Sequence, residues 1–247
     1  MQEKILEAKN IIEESPSLAV LTGAGISAES GIPTFRGSDG LWKNYSPQQL
    51  ASPNAFKKDP KLVWEWYDWR RQIIDKATPN PGHTALARIE AEKEKFTLIT
   101  QNIDGLHQKA GSQNIIQLHG SIWEIKCTEC GTTETNYEVP IGALPPVCNN
   151  CSGIMRPGTV WFGEIIPMSI IDKTILSIEE SEVMIIIGTS GVVEPAASMG
   201  LMAKQSGKKV IEINLEQTPN SSLYDVFIQA KSGETLPLFY KIDEIYN

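Results

Sequence analysis

Apolar positions along the chain switch between a helical period and short unbroken runs. Ile5, Ala8 and Ile12 share one face of a helix predicted over Gln2–Glu14, which Ser15-Pro16 ends. Apolar runs at Ser17–Thr22, 96–100, 115–118, Val183–Ile187 and 210–213 read as strands. Helical stretches are predicted at 62–76, 83–93, 104–110, 169–180 and 195–207. Strands alternating with helices predict an α/β fold: a Rossmann-like parallel sheet with helices on both faces. A loop rich in Gly, Asn, Asp, His, Ser or Thr follows each strand, at the end of the sheet where ligands bind in such folds. Two segments break the alternation. Residues 35–81 hold Trp42, Trp64, Trp66 and Trp69 among loop signals, and residues 121–157 are rich in Thr, Asn, Pro and Gly. The expected organisation is a Rossmann-like domain of residues 1–34, 82–120 and 158–247, with a helical insert (35–81) and a second insert (121–157) packed into a small domain above it. A cleft between the two is the natural ligand site.

Charge narrows the choice of partner. The 247 residues carry 22 Lys+Arg against 30 Asp+Glu, a net charge of −8, which disfavours nucleic acid. The longest apolar run, Val183–Ile187, is far short of a membrane span, and the charged first ten residues are no signal peptide. A cytoplasmic protein with neither a nucleic-acid nor a membrane partner is expected.

The four cysteines form Cys127-x-x-Cys130 and Cys148-x-x-Cys151, seventeen residues apart. Each turn presents two thiolates to one metal, the spacing of a tetrahedral zinc site. Two disulfides are the alternative, and a cytoplasmic chain seldom keeps them. Four sulfur ligands leave no open position, so one Zn2+ per chain is expected to hold structure and take no part in chemistry.

Gly23-Ala24-Gly25-Ile26-Ser27-Ala28 satisfies G-x-G-x-x-G/A directly after a strand, where glycine lets the backbone approach a pyrophosphate. A plain strand–helix turn is the competing reading. The acidic residue expected about twenty positions on for a ribose is missing from 40–45, which disfavours an ordinary dehydrogenase. Asn214, Leu215 and Glu216, after a later strand, are the alternative ribose contacts. Of three histidines, His83 and His107 fall within predicted helices and read as structural. His119 ends a strand before Gly120, which makes it the candidate base, with Gln101, Asn102 and Asp104 ending the neighbouring strand. A nicotinamide-dependent oxidoreductase and a zinc-ribbon binding module are the competing classes.

Seven motifs then stand in order: Gly23-Ala24-Gly25-Ile26-Ser27, Gly31-Ile32-Pro33-Thr34-Phe35-Arg36-Gly37, 100–104, Leu118-His119-Gly120, the four cysteines, Trp161-Phe162-Gly163-Glu164 and Gly188-Thr189-Ser190. In this the chain resembles the sirtuins, NAD-dependent protein deacylases, over nearly its whole length. The resemblance implies a cleft that takes NAD, a consumed co-substrate, and an acyl-lysine peptide from opposite sides. It assigns Gly23, Ala24, Gly25, Ser27, Glu29, Thr34, Phe35, Arg36 and Trp42 to the NAD site, with Arg36 on the pyrophosphate and Phe35 shielding the nicotinamide. Gln101, Asn102, Ile103 and Asp104 would line the nicotinamide and its ribose, with Asn102 also catalytic; Gly188, Thr189, Ser190, Asn214, Leu215, Glu216 and Ser232 would surround the adenosine. The substrate backbone would add as a strand between 160–164 (Val160, Phe162, Gly163, Glu164) and 191–194 (Gly191, Val192). The implied chemistry is attack of the acyl oxygen on the ribose carbon as nicotinamide leaves, with neutral His119 then acting as general base on the ribose hydroxyls. Water releases lysine and O-acyl-ADP-ribose.

The sequence 27–37 looks most like the class III branch of that family. That branch holds the carboxylate of succinyl- or malonyl-lysine with a Tyr-x-x-Arg pair, matched here by Tyr67 and Arg70, while Ala51 matches the small residue that leaves room for a longer acyl chain. Arg71 is the competing arginine, one residue further on, and its replacement is expected to be mild.

Overall fold

A computed structural model describes residues 1–35 and 46–239. Arg36 and Trp42 lie outside them. Six strands form one parallel sheet: β1 (Ser17–Thr22), β2 (Lys95–Thr100), β3 (Ile115–Gln117), β7 (Val183–Ile187), β8 (Lys209–Asn214) and β9 (Val226–Gln229). Three more, β4 (Gly120–Cys127), β5 (Thr133–Thr135) and β6 (Met155–Thr159), form a small antiparallel sheet. The parallel sheet runs β3-β2-β1-β7-β8-β9, the doubly wound order, whose crossover direction reverses between β1 and β7.

Helices α1 (Gln2–Glu14), α2 (Gly25–Ala28), α3 (Pro47–Leu50), α4 (Pro53–Lys58), α5 (Pro60–Lys76), α6 (Pro81–Glu92), α7 (Leu106–Lys109), α8 (Met168–Glu179), α9 (Ala196–Gln205) and α10 (Ser232–Thr235) complete the described elements. β1 and β7 are buried along their whole length, which is why they read as unbroken apolar runs. One apolar cluster on the sheet takes Ala8, Ile12, Leu86, Ile89 and Phe96; a second, including Leu21, Ile99, Ile178, Ile186 and Met199, draws on α8 and α9. A third core lies outside the sheet and joins Phe56, Val63, Trp64 and Tyr67 to Trp123, Ile125, Cys127 and Trp161.

Three expectations need correction. The helix expected over 104–110 is only Leu106–Lys109, because Gly105 has φ +78° and a left-handed residue cannot sit inside a right-handed helix. β9 was not expected: it is a four-residue edge strand with too short a pattern to stand out. The 121–157 insert, for which no strand was predicted, contains most of β4 together with β5 and part of β6, which satisfy one another's backbone groups.

Helix α5 fixes the small sheet in place. Trp64 Nε1 donates to the Met155 carbonyl at 2.8 Å, and Tyr67 Oη lies 3.0 Å from Thr159 Oγ1. Asp68 Oδ1 accepts the Ile141 N–H at 2.8 Å, and Arg71 donates to both oxygens of Asn136. Residues 64, 67, 68 and 71 are spaced i, i+3, i+4 and i+7, one helical stripe. Arg71 is wholly buried, with its guanidinium 5.1 Å from the Trp123 ring. Its replacement should therefore cost stability, whatever its effect on acyl choice. Arg71→Met should lower unfolding free energy by about 1–3 kcal/mol, because two half-buried acceptors on Asn136 lose a charged donor. Urea denaturation checks this, with exposed Lys76→Met as the mild control.

Candidate functional site

The turns after β1 and β7 meet where the crossover direction reverses. Gly23 N–H donates to the Ile187 carbonyl at 2.9 Å, and Gly25 N–H to the Gly188 carbonyl at 2.8 Å. A Cβ on Gly23 would stand 2.7 Å from Gly188 O, and one on Gly25 2.7 Å from Gly188 Cα. Gly188 itself has φ +59°, and a side chain there would strike Ile26 N at 2.5 Å. The glycines are thus required first by loop-on-loop contact, a reason the motif alone does not disclose.

Polar side chains from four turns converge around that contact. Asn102 Nδ2 donates to the Gly23 carbonyl at 3.0 Å and to Ser27 Oγ at 3.3 Å. Ser27 in turn donates to Asp104 Oδ2 at 2.8 Å, while Asp104 Oδ1 accepts Leu106 N–H at 2.9 Å. Gln101 Nε2 reaches Thr189 Oγ1 at 3.0 Å, and Asn214 Nδ2 reaches the Thr189 carbonyl at 2.7 Å. Ile103 is buried against the third core, and Ser190, Leu215 and Glu216 are exposed at the rim. Burial raises the Asp104 pKa, opposed by its hydrogen bonds from Leu106 and Ser27. Its oxygens keep lone pairs for a further N–H donor. This donor–acceptor set fits the carboxamide and ribose of NAD; bound there, NAD would supply an electrophilic ribose carbon and the nicotinamide leaving group.

His119 stands beside this wall. Its Nδ1 lies 2.9 Å from the Gln101 carbonyl, which only accepts, so Nδ1 carries the proton and Nε2 keeps its lone pair. Burial lowers its pKa, partly offset by that hydrogen bond. His83 and His107 lie behind the wall, as the sequence reading expected of structural residues. His83 Nε2 is 3.4 Å from Ser27 Oγ, His107 Nε2 is 3.0 Å from Thr22 Oγ1, and the two rings are 4.8 Å apart. Asn80, missed in the sequence, caps α6 and donates to the Ile26 carbonyl at 2.7 Å.

Glu29 is already engaged: its carboxylate accepts Gly233 N–H at 2.8 Å and the Ser232 hydroxyl at 3.3 Å, tying α2 to α10. Thr34 and Phe35 are half-buried.

On the other side, the Ala51 carbonyl accepts Phe162 N–H at 2.9 Å, and Val160 N–H donates to the His119 carbonyl at 3.0 Å. Glu164 binds Arg156 through both oxygens, at 2.5 and 2.9 Å, and accepts Trp161 N–H at 2.8 Å. Gly163 (φ +88°) and Gly191 (φ +64°) turn the chain, and Phe162 and Val192 are exposed beside them. Tyr67 and Arg70 are both buried. The Arg70 guanidinium lies 4.8 Å from the Phe35 ring and 5.0 Å from the Trp66 ring, and burial pulls its pKa down. Tyr67 Oη also accepts Trp161 Nε1–H at 2.9 Å; neither Thr159 nor Trp161 was marked by the sequence as its partner.

The four sulfurs lie within 4.8 Å of one another, with Cys127–Cys151 at 3.5 Å and Cys130–Cys148 at 3.7 Å. The edge of a tetrahedron with Zn–S arms of about 2.3 Å is about 3.8 Å, so the residues fit one zinc ion. Backbone N–H groups of Glu129 and Cys130 point at Cys127 Sγ, as a thiolate requires.

Residues 23–195 match the family model described as "Sir2 family". The chain belongs to the Sir2 family. This sirtuin is 51% identical to the NAD-dependent protein deacylase of Aquifex aeolicus over 227 residues, 92% of this chain and 95% of that one. It is 47% identical to NAD-dependent protein deacylase 2 of Pyrobaculum aerophilum, over 94% of this chain and 93% of that one. Among solved structures, a Sir2 homolog–NAD complex superposes with TM-score 0.90 at 46% identity, covering 95% of the sirtuin and 92% of that chain. A Sir2–p53 peptide–NAD+ structure gives TM-score 0.85 at 34% identity, covering 94% and 95%. Among the described residues no helix is long and apolar enough to cross a membrane.

The buried histidines make stability depend on acid. Burial holds His83 at about 4 and His107 at about 3, against an ordinary value of 6.5. Below pH 6.5 the unfolded chain takes up protons that the native chain refuses, so stability is full above that pH and falls as pH drops toward 4. Each histidine contributes a slope of about 1.4 kcal/mol per pH unit, roughly 2.7 together. Urea midpoints between pH 6.5 and 4 should follow that slope, and His107→Gln should flatten it.

Proposed function

We propose that this chain, an NAD-dependent protein-lysine deacylase of the Sir2 family, removes succinyl and malonyl groups as well as acetyl groups, with His119 as general base. The observation that carries the base assignment is the Nδ1 bond to the Gln101 carbonyl. It leaves Nε2 as the only basic atom of the ring, on a strand end beside the Gly23–Asn102–Asp104 wall. In this reading Asn102 and Asp104 hold the nicotinamide and its ribose, and Nε2 takes a proton from a ribose hydroxyl. Asn214, Leu215, Glu216, Thr189, Ser190 and Ser232 hold the adenosine side. Arg36 and Trp42 are assigned by resemblance alone. We read residues 1–34, 82–120 and 158–247 as the NAD-binding domain and the rest as the small domain; three apolar cores, one of them joining α4 and α5 to β4, support that division. The acyl-lysine peptide enters between 160–164 and 191–194, where exposed Phe162 and Val192 offer apolar contact to its backbone strand. The protein would act in the cytoplasm.

The acyl preference rests on Arg70. A buried guanidinium over Phe35 and Trp66, three residues from Tyr67, is costly to keep charged, and an anion added to the field of Asp104 stabilises it. A carboxylate at the end of the acyl chain is such an anion, held through two parallel N–H bonds. Ala51, small and buried, is the residue that would leave room for the longer acyl chain.

His119→Ala should keep NAD binding while deacylation falls about 100-fold or more, the scale of a positioned base. Because burial lowers the His119 pKa, the acid limb of kcat/KM should fall below pH 6.5 and vanish in the variant. Activity above half of wild type would remove His119 from the mechanism.

Arg70→Met should raise KM for succinyl peptide about 10- to 100-fold and leave acetyl peptide nearly unchanged. Mass spectrometry of nicotinamide and O-acyl-ADP-ribose reads both reactions. Equal losses on the two peptides would make Arg70 structural.

A further inference from the structure

Glu212 lies wholly inside the protein, in the middle of β8 between Ile211 and Ile213, two residues before Asn214 and on the same face of the sheet. The Ser221 hydroxyl donates to its Oε2 at 2.5 Å, while Oε1 has no hydrogen-bond partner among the described residues. Ser221 Oγ also accepts the Thr218 N–H at 2.7 Å and lies 3.0 Å from Thr218 Oγ1. Thr218 in turn backs Gly191, where a Cβ would stand 2.9 Å from Thr218 Cβ. Asn220 Nδ2 reaches the Ala197 carbonyl at 3.3 Å and anchors the far end of the turn to α9. One buried carboxyl thus sits under a turn that leaves β8 with exposed Leu215 and Glu216 and returns through Thr218.

We propose that Glu212 is a positioning residue for NAD: through Ser221 it pins the 215–221 turn, so that Leu215 and Glu216 face the adenosine and Thr218 supports the Gly191 segment. The proposal rests on the reading that 214–216 line the adenosine pocket. A strand glutamate whose only described hydrogen-bond partner is a serine nine residues later is expensive to bury, and the same interior would accept an apolar side chain without that cost. Burial raises its pKa, opposed first by the Ser221 hydrogen bond. An accepting oxygen at this reach can be copied by an amide of the same length but not by a shorter acid.

ADP-ribose titration by calorimetry, with KM and kcat on NAD and acetyl peptide, tests this on Glu212→Gln, Glu212→Asp, Ser221→Ala and Asn214→Ala. Glu212→Asp and Ser221→Ala should weaken ADP-ribose binding and raise KM for NAD about 5- to 20-fold, with kcat within about 2-fold, because the turn touches no reacting atom. Glu212→Gln should stay within about 2-fold of wild type, since its amide oxygen still accepts Ser221. Thermal melts run alongside, and Ser221→Ala carries the test if Glu212→Asp fails to fold. Wild-type ADP-ribose affinity in Ser221→Ala and Glu212→Asp, with Asn214→Ala weakened, overturns the proposal alone. An Asn214→Ala protein that binds normally overturns the adenosine reading beneath it. Glu212→Gln as weak as Glu212→Asp overturns it too, since charge rather than reach would then matter.

Discussion

Backbone meets backbone between β1 and β7, and the functional end of the molecule depends on that contact. Three positions without side chains, Gly23, Gly25 and Gly188, let the two turns hydrogen-bond directly at 2.8 and 2.9 Å. A methyl group at any of them would come within 2.7 Å of facing backbone, and backbone cannot yield as a side-chain end can. Parting the turns would lengthen those bonds and carry Thr189 away from Gln101 and Asn214, and Gly23 away from Asn102. Glycine loses more chain entropy on folding than other residues. Here that cost is met because the same contact sets four loops in register at the reversal of sheet order, where a ligand has access to all of them.

Behind that contact the protein keeps its interior polar but uncharged. His83, His107, Thr22, Thr100, Ser27 and Asn102 form a hydrogen-bonded layer beneath the turns. Neutral groups can be buried when paired, whereas a cation in the same place would lose its hydration without return. Burial pushes both histidines far down, with His83 adding to the effect on His107, so the layer is neutral near neutral pH. Asp104 is the exception that faces the site, and its acceptor capacity is what a carboxamide needs.

Much of this was legible because burial on both faces turns a strand into an unbroken apolar run. β1 and β7 were placed to the residue, and β2, β3 and β8 within one residue at each end. The cysteine spacing and the Gly-x-Gly turn were also plain, since each is local along the chain. What sequence hid is what arises between distant segments. β9 takes its stability from β8, and β4, β5 and β6 from each other. Glu29 carries a partner the sequence did not mark: its carboxylate accepts the N–H of Gly233, 204 residues away. Glu212 gave no signal at all, because its partner is reached only across the strand–turn return.

The pair Arg70 and Arg71 shows how a single helix divides the work. Adjacent residues on a helix point about 100° apart, so the two guanidinium groups cannot serve the same surface. Arg71 falls on the stripe with Trp64, Tyr67 and Asp68, all of which bond to the small sheet or the segment around it. Arg70 falls with Trp66, four residues before it, and lies over Phe35. Tyr67 belongs to both sides: its ring packs edge-on to Trp66 at 4.9 Å, while its hydroxyl meets Thr159 and Trp161. The position of Arg70 is therefore set by contacts on the opposite face of α5. Cys127 ends β4 and pairs with Met155, which opens β6, and β6 ends at Thr159. Zinc bound at Cys127 would thus bear on Tyr67 through one short sheet, and through α5 on where Arg70 stands.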